Sequence, residues 1–77
     1  MSLKEEVLDL ICRTLDVKKE EIKDGQKLYD SLGVDSTEMV EMVVSMNKHF
    51  GIKLETNEIT KFSTPEEIVT IIENKKQ

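Results

Sequence analysis

One serine in this 77-residue chain stands where its hydroxyl could take part in chemistry. Ser36 follows Asp35 at the start of a predicted helix, where unpaired backbone N–H groups and the helix dipole favour an anion by about 0.3–1 kcal/mol. A covalent role for the Ser36 hydroxyl is one interpretation, since the site would lie exposed at the end of a rigid element. The alternative is a serine that only caps the helix, which is a common use of the residue. Spacing alone leaves both interpretations open.

Other candidates for catalysis are weak. His49 is the one histidine and has no cysteine or carboxylate at ligand spacing, so we expect neither a metal site nor a general base. Cys12 flanks an apolar stripe and is expected to be a small core residue. Because it is the one cysteine, no internal disulfide can form, and we expect a reducing compartment, the cytoplasm. With no nucleophile–base pair or phosphate-binding loop, an enzyme is the weakest interpretation.

The element that must position Ser36 is a long amphipathic helix. Asp35 and Glu38 have the spacing of a capping box, and either Asp35 or Ser36 could be the N-cap. Gly51 supplies the residue that most easily adopts the left-handed turn closing a helix. One face of this helix is apolar at 100° per residue and comprises Met39, Val43, Met46 and Phe50, with Val40 and Met42 to either side.

A first helix is predicted from about Leu3 to Leu15, preceded by the capping pattern of Ser2 and Glu5. Residues 16–35 have no sustained period, and we predict a long loop with at most a helical turn over 18–22. The apolar residues expected to hold this loop against the core are Ile22, Leu28 and Leu32.

After the Ser36 helix, the polar stretch 55–61 is predicted to form a short helix of no more than one or two turns. The residues expected to anchor it are Ile59 and Phe62. The last helix starts after Thr64, with Pro65 at the first helical position and Glu67 completing a capping box. Its predicted buried face comprises Ile68, Val69, Ile71 and Ile72. Three main helices and one short helix indicate an all-α, small four-helix bundle in a single domain over residues 1–77.

The pentapeptide Leu32-Gly33-Val34-Asp35-Ser36 resembles the attachment motif of the acyl carrier proteins. In that family the Asp-Ser pair is usually followed by leucine, whereas Thr37 follows it here. Length, net charge, helix order and the position of the serine also fit, so the resemblance covers essentially the whole chain. It implies a helical bundle with a long first loop lying across it.

The resemblance also implies a covalent cofactor. Ser36 would carry 4'-phosphopantetheine, donated by coenzyme A through a separate phosphopantetheinyl transferase, and the thiol of this arm would hold acyl groups as thioesters. Asp35 would bind the transferase's Mg²⁺ transiently during loading, since a carboxylate suits that ion, and no stable metal site is expected. Such a carrier is not an enzyme; it raises the effective concentration of a tethered substrate at each partner. The cargo could be a fatty acyl, polyketide, aminoacyl or sugar-lipid group.

The charge distribution indicates which partners to expect. The net charge is −5, and residues 28–47 contain four acids and no lysine or arginine. These acids are Asp30, Asp35, Glu38 and Glu41. The helix dipole explains acids at the helix start, but not Asp30 before it or Glu41 beyond its first turn. An acidic patch repels nucleic acid and attracts basic proteins. We therefore expect a monomer that binds enzymes with basic docking surfaces, with no nucleic-acid partner and no membrane span.

The expected partner surface runs down the helix from Ser36 and includes Asp35 and Glu38. Its stripe comprises Thr37, Val40, Glu41, Val44 and Lys48. In the alternative, the two valines pack under the loop or the short helix. Several positions depart from the resembling family, namely Thr37, Ser31 in place of a frequent Asp, and Asn47, Lys48 and His49 in a usually acidic stretch. These departures favour a specialised carrier over a standard fatty-acid carrier.

Three hypotheses follow from the sequence. The first is a phosphopantetheine-bearing carrier, the second is a carrier-like docking domain that is never modified, and the third is an enzyme. A further hypothesis concerns Met39, Met42 and Met46, which are most simply core residues. Their flexibility would also let the bundle open around acyl chains, each buried methylene adding about 0.8 kcal/mol.

Overall fold

The computed structural model describes residues 2–76. It contains the α-helices α1 (Leu3–Leu15), α2 (Leu28–Leu32), α3 (Ser36–Phe50) and α4 (Pro65–Lys76), with a 3-10 turn at Lys19–Glu21. No β-strand occurs within these residues. The predicted all-α bundle of three main helices and one short helix is confirmed. Within residues 2–76, no helix combines the length and apolarity needed to cross a bilayer.

The three long helices begin at the predicted caps. Ser2 Oγ accepts a hydrogen bond from the Glu5 N–H at 3.2 Å. At α4, Thr64 Oγ1 accepts from the Glu67 N–H at 3.2 Å, and Glu67 Oε1 accepts from the Thr64 N–H at 2.8 Å. α3 ends at Gly51, whose φ of +65° lies in the left-handed region. Contacts between residues three apart therefore set the starts of these helices.

The core is built around α1, which packs against both α3 and α4. Its buried side chains meet the predicted apolar faces of the two other long helices, and the methionines of α3 are core residues, as predicted. The buried residues of these helices are Val7, Leu8, Leu10, Ile11, Met39, Met42, Val43, Met46, Ile68 and Ile72. Phe50, Val69 and Ile71 are partly buried and pack against this cluster.

The loop between α1 and α3 lies against the core through the residues predicted for it. Ile22 and Leu28 are buried, and Leu32 is partly buried against the same cluster. A salt bridge of 2.9 Å from Lys4 Nζ to Asp24 Oδ2 joins the loop to α1.

The predicted helix over 55–61 is wrong, since these residues form turns. Thr60 Oγ1 accepts from the Phe62 N–H at 3.2 Å, and Ser63 Oγ accepts from the Thr60 N–H at 3.1 Å. Such side-chain bonds to nearby backbone compete with helix formation. Ile59 is fully buried as expected, but Phe62 is 55% exposed and does not anchor the segment in the core.

The short helix is instead α2, within the predicted loop. It has no side-chain cap. Its first two N–H groups, which have no partner inside a helix, donate to carbonyls from the far end of the chain. The Leu28 N–H reaches Ser63 O at 3.0 Å, and the Tyr29 N–H reaches Lys61 O at 2.8 Å. α2 is therefore capped by the 61–63 backbone, and no local sequence pattern predicts it.

Candidate functional site

The Ser36 hydroxyl is exposed and uncommitted at the start of α3. Asp35 is the N-cap: its Oδ1 accepts from the Glu38 N–H at 2.8 Å, and Glu38 Oε1 accepts from the Asp35 N–H at 3.1 Å. Among the hydrogen bonds of residues 2–76, none involves the Ser36 hydroxyl. Capping therefore belongs to Asp35 and does not explain why a serine stands beside it.

Each residue before Ser36 has a structural task in presenting it. Leu32 packs against the core at the end of α2. Gly33 closes that helix at φ +66°, a conformation that is strained for residues with a side chain. Val34 is 2% exposed and returns the chain to the core before Asp35 caps α3. The pentapeptide is thus a turn that is fixed on the core side and leaves the serine in solvent.

A groove of about 360 Å³ begins at Ser36. It runs between α3 and the non-helical 56–62 segment, which we call the opposite wall. The groove is lined by Ser36, Met39, Val40, Thr56, Ile59, Thr60, Lys61 and Phe62. Because Met39 and Ile59 are buried core residues, the groove leads from Ser36 toward the interior. The sequence did not predict the opposite wall as part of the site, because its approach to Ser36 depends on the tertiary fold.

The outer face of α3 carries the predicted stripe in exposed positions. Every residue of the stripe (Thr37, Val40, Glu41, Val44 and Lys48) is exposed. Val40 and Val44 are 46% and 47% exposed, so the alternative in which they pack under the loop or the short helix is wrong. Asp35 is also exposed, whereas Glu38 is half-buried and engaged in the capping box. The face next to Ser36 therefore combines carboxylates with two accessible valines.

Of the three non-acidic residues at the end of α3, Lys48 alone belongs to this stripe. Asn47 is turned to the fold: its Oδ1 accepts from the Leu54 N–H at 2.8 Å, and its Nδ2 donates to Leu54 O at 3.2 Å. His49 Nε2 lies 3.5 Å from Glu6 Oε2 on α1. Asn47 and His49 thus make contacts within the bundle, so their departure from an acidic pattern has a structural reason.

Cys12 is a half-buried residue of α1 that packs against the core, as predicted. Burial, followed by the nearby charge of Asp9, raises the pKa of its thiol. The thiol is therefore protonated at neutral pH. Across residues 2–76, no three His, Cys, Asp or Glu side chains are grouped so that they could hold a metal ion.

Comparison with known proteins agrees with this geometry. Residues 5–72 match the PP-binding family model, described as a phosphopantetheine attachment site. An acyl carrier protein of Campylobacter hominis is 35% identical over 74 residues, which cover 96% of this chain and 94% of that protein. One from Chloroherpeton thalassium is 35% identical, covering 97% of this chain and 94% of that protein. An acyl carrier protein of Wolinella succinogenes is 30% identical, covering 99% of this chain and 100% of that protein.

Proposed function

The chain belongs to the acyl carrier protein family, and we propose that it is a single carrier domain that holds acyl groups on a 4'-phosphopantetheine arm attached to Ser36. The observation that carries this proposal is the exposed Ser36 hydroxyl, which the helix cap leaves uncommitted. When bound, the arm supplies a thiol that holds the acyl group as a thioester. The chain itself is a carrier and not an enzyme.

The start of α3 suits the phosphodiester of such an arm. The cap uses the Glu38 N–H, while the backbone N–H groups of Ser36 and Thr37 make no hydrogen bond within residues 2–76. These N–H groups and the helix dipole favour an anion on the Ser36 oxygen. Of the two Asp35 oxygens, Oδ1 is used by the cap, so Oδ2 is available to bind the transferase's Mg²⁺ during loading.

Partners dock on the outer face of α3 in this proposal. Glu41 and the exposed valines lie on the same stripe below Ser36, so a basic surface with an apolar patch complements them. Phosphopantetheinyl transferase and acyl-transferring enzymes are partners of this kind, and the carrier meets them as a monomer. The supply of coenzyme A and the unpaired Cys12 thiol favour the cytoplasm. Thr37 places a polar residue next to the arm and favours a specialised carrier.

The groove also provides a route for an acyl chain from Ser36 into the bundle. It is bounded inside by Met39 and Ile59, and the flexible methionines beyond can repack around added methylenes. We expect acyl loading to shift the NMR signals of the core residues beneath the groove. If the signals of Met39, Val43, Met46 and Ile68 stay unchanged, the chain remains outside the bundle.

Incubation with coenzyme A, Mg²⁺ and a broad-specificity transferase, followed by intact mass measurement, tests the attachment. We expect the mass of one arm to be added to the wild type and to a Ser45→Ala control on the same helix. Ser36→Ala should add none. No addition across several transferases would favour the unmodified docking domain. Hydrolytic activity that survives Ser36→Ala in purified protein would favour an enzyme.

A further inference from the structure

An exposed aromatic pair is formed by one residue of α2 and one residue of the opposite wall of the groove. Tyr29 on α2 is 49% exposed and Phe62 is 55% exposed, and their ring centroids are 6.1 Å apart. The hydrogen bond from the Tyr29 N–H to Lys61 O joins the two segments beside the pair. With Val40 and Val44, these are the large exposed apolar side chains of residues 2–76.

Two lysines border this pair. Lys61 Nζ lies 5.1 Å from the Tyr29 ring centroid and 5.4 Å from that of Phe62, and Lys27 Nζ lies 5.9 Å from the Phe62 centroid. The salt bridges within residues 2–76 involve Lys4, Lys19, His49 and Lys75, and neither of these two lysines. The aromatic surface therefore carries positive charge that no carboxylate of this part of the chain neutralises at contact distance.

The two aromatic rings and the two lysines form a cluster (Lys27, Tyr29, Lys61 and Phe62) that adjoins the attachment site. Lys61 and Phe62 line the same groove as Ser36 and Val40. The α3 side of the groove is acidic, with Glu38 in its first turn and Glu41 exposed beyond it. A protein that receives an arm from Ser36 thus meets negative charge on one side of the groove and positive charge with aromatic rings on the other.

We propose that Lys27, Tyr29, Lys61 and Phe62 form a second docking surface, which an acyl-processing enzyme contacts with a carboxylate beside an apolar residue. Aromatic side chains at the centre of interfaces supply much of their affinity. Opposite charges on the two sides of the groove fix the orientation of the enzyme, because a reversed enzyme would place like charges together. This inference rests on the proposed attachment at Ser36.

The test uses the full-length protein loaded with the arm and a purified acyltransferase of the source organism that accepts the wild type. The double variant Lys27→Glu/Lys61→Glu should raise KM about tenfold with little change in kcat, since a rim charge mainly affects association. The control Lys23→Glu/Lys53→Glu changes the net charge equally at exposed lysines outside the cluster and should stay within about twofold. Lys27→Arg/Lys61→Arg should restore the wild-type KM.

Phe62→Ala tests the apolar part, with an expected KM increase of about fivefold or more. The exposed ring can be removed without opening the core, and circular dichroism and thermal melting check this. The second docking surface would be overturned if the cluster variants left KM unchanged, or if both double glutamate variants gave the same KM. In either case the proposed attachment at Ser36 would stand, provided that mass measurement shows loading. Failure of loading overturns both proposals. If sedimentation shows that the wild type is a dimer and that Phe62→Ala is a monomer, the surface binds a second copy of this chain and the proposed enzyme contact is overturned.

Discussion

The two sides of the groove at Ser36 are held in place over different distances along the chain. On the α3 side, Asp35 and Glu38 exchange two hydrogen bonds within four residues. The opposite wall is not helical, and contacts with α2 and the buried side chain of Ile59 hold it. The α3 side therefore keeps its geometry wherever its helix forms, whereas the opposite wall depends on the whole core. We expect the opposite wall to open more readily than α3, because a segment without the backbone hydrogen bonds of a helix has a lower local stability.

The largest effect should come from removing the core contact of the opposite wall. Ile59 is fully buried, and Ile59→Ala should lower the free energy of unfolding by about 2–5 kcal/mol in urea titrations. Ile59→Val should cost about 0.5–1.5 kcal/mol and keeps the measurement possible if the alanine variant unfolds. Val44→Ala, on the exposed face of α3, is the control and should stay within about 0.5 kcal/mol. Equal losses at both positions would contradict the difference between the two sides.

A smaller loss is expected at the junction between α3 and the chain leading to the opposite wall. Asn47→Ala removes both hydrogen bonds to the Leu54 backbone and should cost about 1–3 kcal/mol, since buried groups lose their partners. Hydrogen exchange at the Leu54 amide should accelerate more than exchange within α3. Asn74→Ala makes the same change on an exposed part of α4 and controls for helix propensity. Unchanged exchange at Leu54 would show that the turn does not depend on Asn47.

On the α3 side, two variants of Asp35 separate the effect of the helix cap from the effect of the carboxylate charge. Asp35→Ala should cost about 0.5–2 kcal/mol, while Asp35→Asn, an equally good cap, should change stability by a few tenths. If Asp35 also binds Mg²⁺ during loading, Asp35→Asn should slow arm addition although its stability is retained. If the loading rates of the two variants change only in step with their stability, the role of Asp35 is limited to capping α3.

The smallest effect concerns Glu58 on the opposite wall. Its carboxylate accepts from the Glu55 N–H at 2.8 Å and lies 3.0 Å from Lys75 Nζ, and these contacts lower its pKa. A lowered folded pKa contributes stability above the unfolded value, about 4.3 for Glu, and this stability is lost as pH falls through the folded pKa. Glu58→Gln should therefore reduce Tm slightly at pH 7, and the difference from wild type should shrink near pH 3. Glu73→Gln, exposed on α4, makes the same change of charge as a control, and identical pH profiles for the two variants would contradict this role of Glu58.

The range of the contacts decides part of what could be predicted from the sequence. The starts of α1, α3 and α4 followed from caps between residues three apart. α2 was missed because carbonyls of Lys61 and Ser63 complete its first turn. The 55–61 helix was predicted wrongly because Thr60 and Ser63 bind the local backbone instead.

The same distinction holds for the candidate site. Ser36, Asp35 and the exposed stripe of α3 could be placed from helical periodicity, because one helix carries them all. The opposite wall and the lysine-bordered aromatic pair could not, since their positions beside Ser36 result from chain packing. Phe62 shows the limit: its apolar type predicted a core residue, whereas the turn before it leaves its ring beside Tyr29.

The half-buried Cys12 thiol has a consequence for a protein that holds thioesters. Transfer of an acyl group from one sulfur to another requires attack by a thiolate, and a raised pKa keeps this thiol in the unreactive form. Its packing against the core also restricts access to the sulfur. An acyl group on the arm is therefore protected from migration to the protein's own sulfur, and alkylating reagents at neutral pH should label the arm selectively.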